Sequence, residues 1–530
     1  MIKNRSTLWC GALLVGWAFD ILYWSKAPGI SFAIHILLLL GVLAYLSWKE
    51  DLKPARSSYT LVPLILVFSF LTFTRQEPFT RVLNHLLSLG FLVLLILSFQ
   101  SGRWFAYTLS DYIVSGLRLL LNLVNLPFKM ITSSTEGEKP ATPDREPHPG
   151  GWKKTVPYLR GILIALPLIT ILAALLAEAD PIFSNWLGDL IELLRLEKLP
   201  EYILRLVLIS FWTFLAAGGL LFALLKSKEQ TLVGVDQPWP PRFLGSTETT
   251  IILGAINLLY FSFVTIQFKY FFGGEKNISL DGYTYSEYAR RGFGELLAVA
   301  IFTLFIIMVL SGITNRESKR SRISFSVLTG AMTAFIGVIL ISSLQRLALY
   351  ESAYGFSRLR TYSHLCILWI GVLFLAILGL EITQKHRFFT LASLAAAAGF
   401  LLTMNLVNVD GLIARRNIQR LKVEKAALDT GYLNTLSDDA IPVLVSELDN
   451  PYLSRVEKDE IGAVLACRAF TLEKDPKWQS FTLSVYRAWK ALEENPELWE
   501  DLEVVEDEYW NIYVEVGEEK FYCDNQGWMD

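Results

Sequence analysis

The sequence predicts an all-α polytopic membrane protein carrying a small, mainly helical soluble domain at its C-terminal side. Three observations predict it. Of 530 residues, 53% are hydrophobic and only 19% are charged, with a mean hydropathy of +0.40. Apolar stretches of roughly 20 residues recur, the length that crosses a ~30 Å hydrocarbon core at 1.5 Å per residue. Charge is also split along the chain. Residues 410–530 hold 13 Lys+Arg against 26 Asp+Glu, net −13, and the remainder holds 35 against 25, net +10, which sum to −3. A large soluble helical protein is the alternative, but buried soluble helices rarely run this long without a polar face.

Eleven spans are expected, over about 8–24, 30–47, 59–74, 83–99, 158–177, 202–226, 248–272, 292–312, 324–345, 362–382 and 388–408. The third and fourth are short. The N-terminal stretch has a basic start but no small-residue cleavage site, and a second span follows at once, so it reads as a retained span. Within 103–130, Ser115, Arg118, Asn122 and Asn125 form one polar stripe on an apolar helix, the pattern of a helix lying in the membrane plane. Residues 131–157, rich in Pro, Gly, Ser and charge, read as a disordered cytoplasmic linker. Asp180 before Pro181 reads as a helix cap, opening a helix along the interface. After Asp410 come several short helices, broken at Gly431, then an alternating stretch around Gly517 that predicts a terminal hairpin. The expected organisation is therefore 1–130 (four spans and the in-plane helix), 131–157 (linker), 158–408 (seven spans) and 409–530 (acidic helical domain).

Orientation follows the Lys and Arg of the connections. With the N-terminus inside, inner segments hold Lys49, Lys53, Arg56, Arg316, Lys319, Arg320, Arg322, Lys385 and Arg387, while outer ones hold few. An odd number of spans then places the C-terminal domain outside. The expected location is a bacterial cytoplasmic membrane, with the N-terminus cytoplasmic and the C-terminal domain extracytoplasmic.

The sequence holds no phosphate-binding glycine loop, no G-x-S-x-G, no H-E-x-x-H and no C-x-x-C. The five histidines, His35, His85, His148, His364 and His386, are scattered. No catalytic, cofactor-binding or metal-binding residue is expected, nor a nucleic-acid partner. Cys467 and Cys523 are the only cysteines of the C-terminal domain, and an oxidising compartment would allow them to bridge. Polar groups in the spans, Asp20, Asn257, Gln267, Asn405 and Asn408 among them, read first as helix-to-helix hydrogen-bonding groups.

Two outer connections depart from the basic-inside pattern. They place Arg290, Arg291, Arg346, Arg358 and Arg360 on the outer side, accompanied by Tyr288, Tyr350, Tyr354 and other tyrosines. One reading is an aromatic belt with snorkelling arginines. The other is an anion or lipid-head-group site built from Arg290, Arg291, Glu287, Tyr288, Arg346, Glu351, Tyr354, Arg358 and Arg360, since arginine forks grip phosphate or carboxylate at two points. On that reading Arg290 or Arg291 converges with Arg358 or Arg360, Glu287 pairs with Arg291, and Glu287 and Glu351 neutralise the empty cluster.

Four motifs stand out: a Phe-Gly-Gly turn at 272–274, Y-x-E-Y-A-R-R-G-F at 285–293, Y-G-F-x-R-L-R at 354–360 and N-x-D-x-x-I-A-R-x-N at 408–417. In these the sequence resembles the bacterial integral-membrane family known as domain of unknown function 4173, related to domain of unknown function 4153, over roughly 160–450. The resemblance implies a polytopic membrane protein and no particular reaction. The leading functional expectation is a non-enzymatic envelope scaffold or sensor, touching membrane lipids and meeting an envelope protein through its C-terminal domain. The alternatives are a transporter or lipid-handling protein, and a membrane enzyme using Glu287, Glu351 or Asp281 as acid or base on a lipid-linked substrate.

Overall fold

The computed structural model describes residues 4–133, 172, 176–177, 180, 183, 198–228, 232–233, 241–273, 293–421, 428–472, 477–508, 511–517 and 519–523. Its apolar runs fold as helices, because an α-helix satisfies every backbone group internally where lipid offers no partner. They are α1 (Arg5–Tyr23), α2 (Ser31–Lys49), α3 (Leu61–Leu71), α4 (Pro78–Ser98), α5 (Leu109–Ser133), α6 (Leu199–Leu225), α7 (Ser246–Gly273), α8 (Phe293–Ile313), α9 (Lys319–Tyr354), α10 (Arg358–Ile382) and α11 (Phe389–Val407). Five shorter helices follow: α12 (Val409–Arg420), α13 (Thr430–Asn434), α14 (Ile441–Glu447), α15 (Arg455–Thr471) and α16 (Leu483–Glu493). Strands β1 (Val504–Glu506), β2 (Ile512–Val516) and β3 (Glu519–Tyr522) close the chain as an antiparallel sheet in that order. The expected hairpin is β2–β3, turning at Gly517, and β1 adds a third strand.

Among the described residues ten helical segments are long and apolar enough to cross a membrane. The expected span at 158–177 lies outside the described residues apart from Leu172, Leu176 and Ala177, as do the linker after Ser133 and the interfacial helix after Asp180, apart from Phe183. The stretch expected to lie in the membrane plane is α5, and its part Leu109–Ile131 also has the length and composition to cross. The expected third span is an 11-residue α-helix preceded by a 3₁₀ turn, Arg56–Thr60. At 2.0 and 1.5 Å per residue that makes about 26 Å, just under the thickness of the hydrocarbon core.

The chain forms two compact units. The first comprises Met1–Trp24, Leu38–Leu52 and Arg118–Lys226. Within it α1 runs against α6 with small residues at the seam: a Cβ on Gly16 would fall 2.7 Å from the Ile209 carbonyl oxygen. One end of this pair is closed by Arg205, which forks onto Asp20 at 2.8 and 2.5 Å.

The second unit comprises Ser25–Leu37, Lys53–Leu117 and Ser227–Asp530. Here α7 to α11 share a core around Ile307, Met332, Ile336, Ile339, Phe374 and Ile377. A second core starts at Met404 in α11 and continues without a break through Val409, Ile413, Ile418, Leu444, Ile461 and Leu465. Each such fully buried aliphatic side chain contributes about 1.5–3 kcal/mol. The C-terminal helices are therefore packed onto α10 and α11, with Phe356, Tyr362, Leu365 and Phe400 lining the join. The sheet packs on α15 through Ala463, Ala466 and Val514, and Cys467 of α15 is joined to Cys523 by a disulfide with Cα atoms 5.2 Å apart.

The two ends of this unit are distinct. At one, Ser58 bonds the Ser98 carbonyl, Asn315 N–H bonds the Leu244 carbonyl, and Arg316 meets Glu381. At the other, the connections α1–α2, α3–α4 and α9–α10 and the end of α11 all meet the C-terminal helices. Ile30 N–H donates to Phe481 O at 2.9 Å, Leu483 N–H to Phe73 O at 2.7 Å, and Gln76 N–H to Asp439 at 2.7 Å. Gly29 is needed there, since a Cβ would sit 2.5 Å from the Ser480 carbonyl carbon. Both α3 and α4 thus run from one end to the other.

Candidate functional site at the helix ends

The centre of the site is Arg358, the first residue of α10. Its Nε and Nη2 donate to the two oxygens of Asp410 at 2.8 and 2.6 Å, and Nη2 also donates to Thr435 O at 3.0 Å. Asp410 is fully buried and takes a further hydrogen bond from Ser437 N–H at 2.7 Å. Local sequence sets up this meeting. Gly355 ends α9 with φ +80°, in a region essentially confined to glycine. Asn408 leaves α11 in the left-handed conformation, which asparagine tolerates, and caps α12 through Gly411 N–H at 3.2 Å. Asn417 on α12 then clasps Phe356, accepting from its N–H at 2.7 Å and donating to its carbonyl at 3.0 Å.

A second charge pair lies beside the first. Arg75 donates through Nε to Asn405 O at 2.9 Å and through Nη1 to Asp439 at 3.3 Å. Asp439 also accepts the amides of Gln76 and Glu77. Glu77 caps α4 by accepting from Phe79 and Thr80 N–H, and it takes the Tyr362 hydroxyl at 2.5 Å. Deeper in the bundle, Asn84 and Asn405 exchange two hydrogen bonds of 3.0 Å. Burial raises the Asp438 carboxyl above its ordinary value; Arg468 opposes this, while Asp439 and Asp410 reinforce it. Burial likewise raises Tyr432, whose hydroxyl accepts from Arg358 N–H.

The residues expected to form an anion site are distributed as follows. Glu287, Tyr288, Arg290 and Arg291, with the Asp281 carboxyl, lie outside the described residues. Arg358 is held by Asp410. Arg360 lies 4.0 Å from the Tyr350 ring centre and donates to the carbonyls of Tyr354 and Gly355. Arg346 donates to Gln267 Oε1 at 3.2 Å. Glu351, expected to neutralise an arginine, meets His364 at 3.2 Å instead. Next to Glu351 a cavity of about 950 Å³ opens between α9, α12 and α14, and a smaller one of about 240 Å³ lies between Arg360 and Tyr432.

Sequence reasoning did not find the partners of these arginines. Asp410 lies 52 residues from Arg358, and Asp439 lies 364 from Arg75. The run Gln76-Glu77-Pro78 did carry a signal, an acceptor ahead of a proline at the first helical turn. A third buried pair occupies the opposite end. Arg316 meets fully buried Glu381 at 2.8 Å, His386 meets it at 2.9 Å, and the guanidinium also stacks 4.1 Å from the Phe325 ring centre. Among the described residues no group of three or more His, Cys, Asp or Glu is placed to hold a metal ion.

What the arrangement does chemically is hold together. Its carboxylates and guanidinium groups are hydrogen-bonded to each other across helix ends, and the motif residues Arg358, Asn408, Asp410 and Asn417 all take part. No curated protein and no solved structure matches the chain. Residues 62–447 match the family described as a domain of unknown function, DUF4153, a stretch that takes in every pair of the lattice around Arg358 and Asp439. With ten long apolar helices among its described residues and that match, the chain is a multi-pass membrane protein and belongs to the DUF4153 family.

Proposed function

We propose that this chain is a non-enzymatic scaffold of the bacterial cytoplasmic membrane, which holds its acidic C-terminal module in one orientation on the outer face for an envelope protein to engage. The observation that carries this reading is the Arg358–Asp410 fork, with Asn408 and Asn417 beside it. Groups that would bind a substrate face each other and fasten the module, the region after about residue 409, to the bundle. Orientation is supported by charge. The end away from the module gathers ten basic residues, Lys53, Arg56, Arg103, Arg242, Arg316, Lys319, Arg320, Arg322, Lys385 and Arg387, whereas the module end has six in and beside its short connections, Lys26, Arg75, Arg81, Arg346, Arg358 and Arg360.

The test is a distance measurement. Spin labels at Lys385 and Tyr452, both exposed and at opposite ends, with Cys10 and Cys366 changed to serine, should give one narrow distance distribution in nanodiscs. A broad distribution would sink the fixed-module reading. Alkaline phosphatase fused after Asp530 should be active; activity of a cytoplasm-only reporter there would reverse the orientation. A lipid-head-group site at the same end is part of this reading, and the cavity beside Glu351 favours it.

A further inference from the structure

The cavity of about 950 Å³ is walled by the last turns of α9 (Ala348, Glu351, Ser352), by Arg416, Gln419 and Arg420 of α12, and by the loop after α14 from Ser446 to Tyr452. This volume lies within the range of small-molecule sites. Its charged lining is two arginines against three carboxylates, Glu351, Glu447 and Asp449. Most of these already have work. Glu351 meets His364, Glu447 lies 3.6 Å from Arg415 Nε and accepts from Asn450, and Arg420 donates to the Ser352 carbonyl at 2.8 Å. Arg416 and Asp449 differ: both are exposed and neither has an ion-pair partner among the described residues. One cation and one anion therefore stand on different walls of one groove.

A purely anionic ligand meets three carboxylates here, and like charges at this range repel. A group with a negative and a positive end satisfies both walls. The long helix α9 delivers the groove to the membrane boundary, because Ala348 and Ser352 are exposed positions one turn apart just beyond its apolar stretch. We propose that this cavity binds the phosphoethanolamine head group of a membrane lipid, its phosphodiester at Arg416 and Arg420 and its ammonium at Asp449 and Glu447. Arginine suits the phosphate through its planar fork, and a primary ammonium offers three donors to the carboxylates where a choline offers none. The inference rests on the lipid-head-group part of the proposed function.

The experiment uses the full chain in nanodiscs of equal phosphatidylethanolamine, phosphatidylglycerol and phosphatidylcholine with matched acyl chains, and native mass spectrometry of the lipid retained. Phosphatidylethanolamine should exceed each of the others. Each exposed ion pair is worth up to ~1 kcal/mol, so Asp449→Asn should lower the ethanolamine-to-choline ratio by up to about fivefold, and Arg416→Gln should lower total retention similarly. Lys490→Gln, on α16, should change neither. Equal retention of the three lipids in the native protein, an unmoved ethanolamine-to-choline ratio in Asp449→Asn, or unmoved total retention in Arg416→Gln, overturns the proposal. Glycerophosphoethanolamine in solution should displace the lipid; failure to displace it removes the head group as the recognised part, and tighter binding of the soluble ester than of the lipid makes the occupant a free ester and overturns the lipid assignment. A narrow Lys385–Tyr452 distance alongside a failed lipid test leaves the scaffold standing and removes only the head-group site.

Discussion

Replacing Asp410 by alanine removes the acceptor of three hydrogen bonds, two from Arg358 and one from Ser437 N–H. The carboxylate is fully buried and the Arg358 side chain is 21% exposed. Truncating one partner of a buried pair costs about 3–5 kcal/mol, and the partial exposure of the guanidinium moves the expectation to the lower part, about 3–4 kcal/mol. At 1.4 kcal/mol per factor of ten, opening of the module should become about 10²–10³ times more frequent. Hydrogen exchange of amides 430–447 and 455–471 in nanodiscs, read by mass spectrometry, reports that opening. Arg358→Ala should accelerate the same amides, and the double variant should cost about 2 kcal/mol less than the sum of the two, because the second truncation finds its partner already gone. Exchange within about tenfold of the native protein in Asp410→Ala, or additivity within ~0.5 kcal/mol, would refute the claim that this pair fastens the module.

Three further outcomes are expected. Glu381→Ala should destabilise the opposite end by about 3–5 kcal/mol, since it strands Arg316, 7% exposed; Asp20→Ala should cost less, because Arg205 is 32% exposed, and denaturation midpoints in detergent compare the two. Reduction of Cys467–Cys523, 56 residues apart, should lower module stability by about 2–4 kcal/mol, so a Cys523→Ser variant should melt earlier and lose its dependence on reductant. Asp438, with its pKa raised by burial, holds its proton more tightly folded than unfolded; its stabilising effect is present below the ordinary value of 3.8 and is lost as pH rises through the interval up to the raised value. Asp438→Asn should remove that part of the pH dependence of the melting curve and leave the rest.

Spans were legible because lipid leaves a chain little choice: about 20 apolar residues can only be helix. That logic weakened where composition was mixed. Helix α3 is short because Arg56–Thr60 winds as a 3₁₀ turn, which gains length that apolar residues alone would not show. Helix α5 carries both a polar stripe and a span-length apolar run, and periodicity favoured the stripe. The loop around Arg358 stands out in the sequence, yet its partners are Asp410, Thr435 and Tyr432, which only the fold brings near. An arginine in an outer loop looks the same in sequence whether it awaits an anion or already holds a carboxylate. Asn405 was read as a helix-to-helix hydrogen-bonding group, and Asn84 answers it across α4. Arg75 and Glu77 gave little warning, since their importance comes from Asp439, hundreds of residues later.

That separation sets an order of events during synthesis. Asp439 follows Gln76, whose amide it accepts, by 363 residues. At roughly 5–20 residues per second, about 20–70 s pass between the emergence of the two. Throughout that interval Arg75, Glu77 and the amides beside them stand at the membrane surface with their eventual acceptor not yet made. Helices made after α11 thus complete the earliest loops, and a chain halted after α11 would display an unfinished rim of charge where the native protein shows a closed one.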